Sequence, residues 1–281
     1  MLVVADAPAL LEALERLSRH RIVFVAGLPG TGKSLLLHQL AHLAHQGGRT
    51  VHLLQWDVVR PVFEASATGA QYPTVGGVTH AVVRMAAGRW VRSAVVAWER
   101  AHHGAGHLLL GEAPFVGNRF VELARVEHDD AEPLLAGAAT RFVLPVPSHD
   151  VRAHLEAERV RRAAAPRHPR EREDAPPDVL RASWRHVVDV GRALGVATAA
   201  NDGYDPAVYR AVYAHVLRHR RSEVLALDTI LATDELSVYD FRFPRRDVVP
   251  GPGETDGFID SVARHYPEPS ALDADVDRWW R

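Results

Sequence analysis

Short apolar runs alternate with longer stretches of helical spacing along the first 220 residues. The leucines of KSLLLHQLAHLAHQ, residues 33–46, recur at helical spacing, and further helices are predicted at about 7–19 and within 77–103. The apolar runs read as buried strands: RIVFVAG (21–27), TVHLLQW (50–56), HLLLGE (107–112), RFVLPVP (141–147) and, as the fifth, GVATAA (195–200). Strands that alternate with helices predict right-handed crossovers, and therefore an α/β fold with a parallel sheet covered on both faces.

The chain after the fourth predicted strand is rich in arginine and proline. The stretch AERVRRAAAPRHPREREDAPPDVL predicts a helix that ends near Arg162, a proline-rich connection and a helix that begins at Asp178. YDPAVYRAVYAHVLRHR has the Asp-Pro start of another helix and is predicted to close the core near residue 220. We therefore expect a core of residues 1–220 and a C-terminal extension of residues 221–281 packed on it.

The predicted extension carries two candidate strands and a tryptophan-rich end. The candidate strands are EVLALDTIL (223–231) and LSVYDF (236–241). Trp279 and Trp280 are expected to pack either on the core or against another subunit, because large apolar side chains are rarely left exposed. A homodimer through the extension is therefore one expected arrangement.

Composition and charge exclude several classes of function. The net charge of −2 provides no global basic field, so neither a nucleic acid nor a membrane is expected as a partner. The chain contains no cysteine, which excludes disulfides, thiolate metal sites and a thiol nucleophile. The first 21 residues lack the basic n-region of a signal peptide, and no stretch approaches the roughly 18–20 apolar residues of a membrane span. We expect a soluble cytoplasmic protein.

The most specific motif lies between the first predicted strand and the helix after it. Its eight residues, GLPGTGKS at 27–34, match GxxxxGK[ST] in full. Glycines let backbone N–H groups curl around phosphate oxygens, and the N-terminus of the following helix adds its positive end. Lys33 would reach the β and γ phosphates, and Ser34 would hold Mg²⁺. The motif predicts a site for ATP and Mg²⁺ built from Gly27, Pro29, Gly30, Thr31, Gly32, Lys33 and Ser34.

Lysine usage supports this interpretation of the loop. Lys33 is the only lysine in the sequence, and the other 32 of the 33 basic residues are arginine. The arginine side chain ends in a broad planar guanidinium group, whereas the lysine side chain ends in a compact ammonium group on a narrow aliphatic chain. A loop that wraps closely around a phosphate has room for an ammonium group but not for a guanidinium group. This difference explains why the one lysine of the chain lies in this loop.

These residues resemble the P-loop NTPase superfamily, and within it the small-molecule and nucleotide kinases. The resemblance covers roughly residues 20–220, and QWDVVRPVF, residues 55–63, is similar to the acceptor region of zeta-toxin-like and chloramphenicol-phosphotransferase-like kinases. It implies a three-layer fold with five parallel strands in the order 2-3-1-4-5. It also implies that Asp57 orients the acceptor hydroxyl or accepts its proton, and that Arg60 binds an acceptor anion or neutralises charge during transfer. The alternative is that Asp57 only caps the next helix, whose start Pro61 would fit.

A second carboxylate, Glu112, follows the third predicted strand at the same edge of the sheet. Glu112 could orient a Mg²⁺-bound water, bind an acceptor hydroxyl, act as the base in place of Asp57, or cap a helix or turn. Asn118 and Arg119 come a few residues later, and either they contact the acceptor or they are features of a loop. The sequence leaves these alternatives open.

The arginine-dense segment, about 156–178, resembles the lid of nucleotide-kinase-like folds, which closes over the triphosphate and excludes water. The resemblance makes four of its arginines candidates to clamp phosphates. These are Arg159, Arg162, Arg167 and Arg170. Because a run of charges is usually a solvated face, each arginine could equally be structural.

The function expected from the sequence is transfer of the ATP γ-phosphate to a hydroxyl of a small-molecule acceptor. The alternative is a regulatory or nucleic-acid-associated P-loop ATPase that hydrolyses the nucleotide. A third possibility is a kinase of nucleic-acid 5′ ends or another nucleic-acid-processing enzyme. Ring-forming ATPases need an acidic pair at the end of a strand, and Gly111 occupies the position of the first acid. This observation favours a kinase over a ring-forming ATPase.

Overall fold

A computed structural model describes residues 2–173, 176–198, 203–232, 237 and 244–281. The strands that it describes are β1 Ile22–Ala26, β2 Thr50–Leu54, β3 His107–Ala113, β4 Thr140–Pro147, β5 Ser222–Leu227 and β6 Arg245–Asp247. They form one six-stranded sheet in the order β5-β4-β1-β3-β2-β6, and every neighbouring pair is parallel. The protein therefore has the α/β class that the alternating pattern predicts.

Helices cover both faces of the sheet. The described α-helices are α1 Pro8–Leu17, α2 Lys33–Gln46, α3 Trp56–Glu64, α4 Ala81–Ala101, α5 Glu132–Leu135, α6 His149–Ala164, α7 Pro177–Ala193, α8 Pro206–Val216, α9 Glu254–His265 and α10 Pro269–Asp277. Apolar residues of α1, α2 and α6 pack on one face, and those of α3, α4 and α7 to α10 pack on the other. The two cores follow from strand alternation: Val23 and Val25 of β1 belong to the first, and Phe24 to the second. The result is a three-layer arrangement.

The number of strands and the complete order differ from the prediction of five strands. β2, β3, β1 and β4 are neighbours as expected, but the fifth strand is Ser222–Leu227 and not 195–200. Gly195, at φ +71°, instead lets the N–H of Val196 reach the carbonyl of Gly191 at 2.8 Å, which ends α7 in a Schellman motif. Residues 199 and 200 of the predicted strand lie outside the described residues.

Residues 221–281, predicted as an extension, supply two strands of the sheet itself. β5 pairs with β4 along its whole length, and β6 is a short charged edge strand beside β2. The candidate strand LSVYDF lies, apart from Ser237, outside the described residues. Trp279 is 2% exposed and packs in the core, with its ring 6.5 Å from that of Tyr213.

The second predicted strand ends earlier than expected, at Leu54, and α3 begins at Trp56. Trp56 is buried in the core, so its side chain anchors the start of this helix. Asp57 therefore lies in the first turn of α3, where a negative charge interacts favourably with the helix dipole. Pro61 lies inside this helix rather than at its start, so the alternative in which Pro61 fits the start of the helix is wrong on this point.

Candidate functional site

Three glycines shape the loop between β1 and α2. Gly27, Gly30 and Gly32 have φ angles of +131°, +74° and +83°, which L side chains rarely adopt. At Gly27 a Cβ atom would also lie 2.1 Å from the hydroxyl of Tyr209. Glycine is thus required at Gly27 both for its backbone conformation and for space.

The peptide group of Leu28 is held from several sides. Its N–H donates to the Tyr209 hydroxyl at 3.1 Å, and its carbonyl accepts from Lys33 Nζ at 2.7 Å and from Thr31 Oγ1 at 2.8 Å. Tyr209 comes from α8 and is fully buried. These contacts within the protein therefore hold the loop in its curved conformation.

Arg152, in the first turn of α6, supports the outer part of the loop. Its guanidinium donates to the carbonyl oxygens of Pro29 at 3.1 Å and Gly30 at 3.0 Å, and pairs with Glu156 at 2.6 Å. Only 3% of Arg152 is exposed. Sequence reasoning missed this residue because nothing distinguishes it from the other arginines near the lid segment, and it missed Tyr209 because a buried helical tyrosine carries no motif.

Lys33 forms an ion pair with Glu112. Their Nζ and Oε1 atoms are 3.2 Å apart, and the side chains are 4% and 12% exposed. Glu112 is the register partner of Val25, and alternation along β3 places it on the side of the sheet that α2 covers. Burial lowers the pKa of Lys33, whereas the charges of Glu112 and Asp57 oppose that shift. The only lysine of the chain is thus buried beside a carboxylate.

Asp57 lies at the same site, open to solvent but surrounded by protein on most sides. This desolvation, and next the negative charge of Glu112, raises the pKa of Asp57, while the charges of Arg60, Lys33 and Arg119 oppose the shift. The structure therefore brings together Lys33, Glu112 and Asp57, as the sequence predicts. Arg60 also lies within reach of this charge cluster, and its Nη1 is 3.7 Å from Glu64 Oε1.

The lid-segment arginines divide into different environments. Arg162 pairs with Glu158 at 3.3 Å and with Glu171 at 3.0 Å, and the second carboxylate also accepts from the backbone N–H of Arg167 at 2.7 Å. These contacts give Arg162 a structural role in this conformation. The positive charge of Arg159 contributes to lowering the pKa of Lys33, so Arg159 lies near enough to Lys33 for the two charges to interact. Arg167 is exposed, and the side chain of Arg170 lies outside what the structure describes.

Asn118 is fully buried, so it is not placed to contact an acceptor. Its Nδ2 donates to Glu122 Oε1 at 3.1 Å. Glu122 is 3% exposed, and burial raises its pKa to about 7, while the charge of Arg125 opposes the shift. Glu122 also occupies the space that a side chain at Gly88 would need, since a Cβ there would lie 1.8 Å from Oε2. This buried carboxyl carried no signal in the sequence.

Magnesium fits the donor atoms at the loop. Ser34 lies in the first turn of α2 beside Lys33, and Glu112 and Asp57 supply carboxylate oxygens at the same edge of the sheet. Mg²⁺ is usually held by one or two protein oxygens together with substrate phosphates and water. Among the described residues no group of three or more His, Cys, Asp or Glu side chains could hold a metal alone. The set therefore suits a metal that arrives with a nucleotide.

Comparisons of the chain with protein-family models, curated proteins and solved structures found no match. The interpretation of this site therefore depends on its geometry and chemistry. In the described part of the chain no helix combines the length and apolar character needed to cross a bilayer.

Proposed function

We propose that the protein is an ATP- and Mg²⁺-dependent phosphotransferase that moves the γ-phosphate to a hydroxyl of a small-molecule acceptor. The observation that carries the proposal is the buried Lys33 within a preformed glycine loop, with Asp57 at the same site. Phosphoryl transfer needs positioned charge more than covalent chemistry. A glycine loop at the N-terminus of a helix, a buried ammonium group and a nearby carboxylate meet those needs.

The roles of the residues follow from their positions. Lys33, the loop amides and Ser34 would hold the triphosphate and Mg²⁺, which would neutralise the charge of the phosphates. The raised pKa of Asp57 makes it a better proton acceptor than an ordinary carboxylate. The hydroxyl oxygen would bond to the γ-phosphorus, the bond from that phosphorus to the β–γ bridging oxygen would break to leave ADP, and the hydroxyl proton would pass to Asp57. Arg159, whose charge acts on Lys33, would help to neutralise the phosphates.

A second candidate function is hydrolysis of the nucleotide by a regulatory ATPase. The direct contact of Glu112 with Lys33 supports it, because a carboxylate beside the γ-phosphate site can orient water. The two functions differ in their requirement for an acceptor. In the kinase, Glu112 would release Lys33 to the nucleotide or serve as the base in place of Asp57.

The test is the release of ADP from ATP and Mg²⁺ by the purified full chain, with and without a fractionated pool of small metabolites. We expect release to depend on one pool fraction, and Asp57→Asn to reduce it about 100-fold, since a general base contributes roughly 10²- to 10⁴-fold. Arg100→Gln, at an exposed ion pair with Asp130, is the control. ADP release that needs no acceptor and is unaffected by Asp57→Asn would contradict the kinase and favour hydrolysis.

Nucleotide affinity provides a separate prediction for Lys33. Lys33→Arg is expected to weaken binding of a fluorescent ATP analogue about 100-fold, as much as Lys33→Ala does, because charge-assisted hydrogen bonds contribute roughly 1.5–3 kcal/mol each. The planar guanidinium is too large for a pocket in which the present side chain is 4% exposed. Arg100→Lys, the reverse exchange on the surface, is the matched control. If the arginine variant binds as well as the original protein, charge alone is sufficient and the steric argument is wrong.

A further inference from the structure

Arg119 combines partial burial, a position near Asp57 and Arg60, and the lack of a partner for its guanidinium in the described structure. Within the described residues its guanidinium makes neither a hydrogen bond nor an ion pair, although the side chain is partly buried. Arginines in such positions are usually paired, as Arg92 is with Asp129 and Glu132. A partly buried guanidinium without a protein partner is available to bind an anion.

The backbone around Arg119 is unusual and firmly held. Phe115, Asn118 and Phe120 have φ angles of +62°, +60° and +63°, a left-handed conformation that residues other than glycine adopt only rarely. Phe115 and Arg119 exchange backbone hydrogen bonds of 2.9 and 3.1 Å, which close a tight turn after β3. The strained backbone and the two hydrogen bonds therefore fix the position of the Arg119 backbone.

The turn brings Arg119 to the acceptor end of the site. Phe120 packs edge-on against Trp56, with ring centroids 5.3 Å apart, and these two residues adjoin Arg119 and Asp57 in the chain. Asp57 and Arg60 supply the charges that act most strongly on the Arg119 guanidinium. Arg119 thus faces the same space as the proposed base.

Two further guanidinium groups share this region. Arg84 donates from Nη1 to the carbonyl of Gly117 at 2.6 Å, and so holds the same turn. The Nε atoms of Arg84 and Arg60 are buried and have no hydrogen-bond partner among the described residues. Burial lowers the pKa values of Arg84 and Arg119. The charge of Arg119 adds to the shift of Arg84, and the charge of Arg60 adds to that of Arg119, while nearby aspartates oppose both shifts. A bound anion would relieve the repulsion among these groups.

We propose that Arg119, with Arg60 and Arg84, binds a phosphate or carboxylate group of the acceptor next to Asp57. A planar guanidinium matches the paired oxygen atoms of both groups. The acceptor would then be an anionic small molecule whose hydroxyl lies beside its charged group. Assignment of the anion to the acceptor rests on the proposed function, whereas the anion site stands on the arginines alone.

The first test is calorimetric titration of the full chain with inorganic phosphate and, separately, with acetate. In the original protein we expect phosphate at two places, the glycine loop and the arginine cluster. Lys33→Ala should remove the first, and Arg119→Gln should weaken the second at least about tenfold, in line with the loss of a charge-assisted hydrogen bond. Tighter binding of phosphate than of acetate indicates a phosphorylated acceptor, and the reverse indicates a carboxylate.

Controls separate binding from folding. Arg100→Gln removes an exposed guanidinium and should leave both affinities unchanged. Arg119→Lys keeps the charge but loses the fork, so it should bind phosphate more weakly than the original and more tightly than Arg119→Gln. The circular dichroism spectrum of each variant confirms that it is folded. If folded Arg119→Gln and Arg119→Lys both bind phosphate as Arg100→Gln does, the proposal is overturned.

The second test separates this proposal from the kinase itself. The metabolite pool is divided on an anion exchanger before the ADP-release assay. Transfer that occurs only with the fraction that does not bind the exchanger would overturn the anionic acceptor and leave the kinase intact. If no fraction supports transfer but Arg119-dependent phosphate binding persists, the anion site stands and the kinase fails.

Discussion

Replacing Gly27 with alanine is expected to lower the free energy of unfolding by about 4 kcal/mol, from two additive causes. The φ angle of +131° strains any residue with a Cβ by roughly 1–3 kcal/mol. The new methyl group would also lie 2.1 Å from the hydroxyl of Tyr209, and overpacking of a well-filled core costs about 1–3 kcal/mol. Urea unfolding followed by tryptophan fluorescence measures the loss.

Two further variants divide this loss between its causes. Gly48 has φ +75°, and no atom lies within 4 Å of the position that a Cβ would take there, so Gly48→Ala gives the cost of a positive φ angle in the absence of a clash. Tyr209→Phe removes the hydroxyl, and in that background Gly27→Ala should cost about 1–2 kcal/mol less, because the overpacking is relieved. Equal costs of Gly27→Ala in both backgrounds would show that the tyrosine is not what excludes the methyl group.

Replacing Glu122 with glutamine is expected to stabilise the protein by about 3 kcal/mol at pH 8 and by less than about 1 kcal/mol at pH 5. The folded pKa of Glu122 is about 7, above its ordinary value of 4.5. Between these values the native state binds more protons than the unfolded state, so the original protein loses stability as the pH rises through this window. Each pKa unit corresponds to about 1.36 kcal/mol, and glutamine is neutral throughout.

Chemical unfolding at pH 5, 6, 7 and 8 tests this prediction. The matched control is Glu127→Gln, which neutralises an exposed carboxylate five residues further along the chain. The groups that face Glu122 are Asn118, Arg125 and Arg89, and none of them is changed by the substitution. If the free energy of unfolding of the Glu122 variant differs from that of the original by the same amount at all four pH values, the pKa of Glu122 is not raised. Glu122 would then be ionised in the folded protein over this range.

The parts of the fold that could be predicted are those encoded by local pattern. β1, β3 and β4 are continuous apolar runs because they are buried on both faces, and the structure confirms them. β5 was only a candidate because it lies at an edge, where Leu225 and Leu227 are its buried residues. β6 has no apolar pattern at all, since its three residues are Arg-Arg-Asp and all are exposed.

In the candidate site, too, the residues that belong to a local sequence pattern could be predicted and the others could not. The glycine loop and Lys33 were found from spacing, and Asp57 and Glu112 from their places after strands. Arg152 and Tyr209 support the loop from residues more than 100 positions away, and no local pattern records such contacts. Glu122 could not be found because its raised pKa arises from burial in the folded core.

The surface chemistry of this protein follows from the burial of its one lysine. The side chain of Lys33 is 4% exposed, and the other 32 basic residues of the chain are arginines, which carry guanidinium groups. Apart from the α-amino group at the start of the chain, the folded protein therefore offers no accessible primary amine to acyl donors, aldehydes or isopeptide-forming enzymes. Amine-reactive reagents, which label most proteins at many lysine side chains, would find only the Lys33 side chain of this protein, inside the glycine loop.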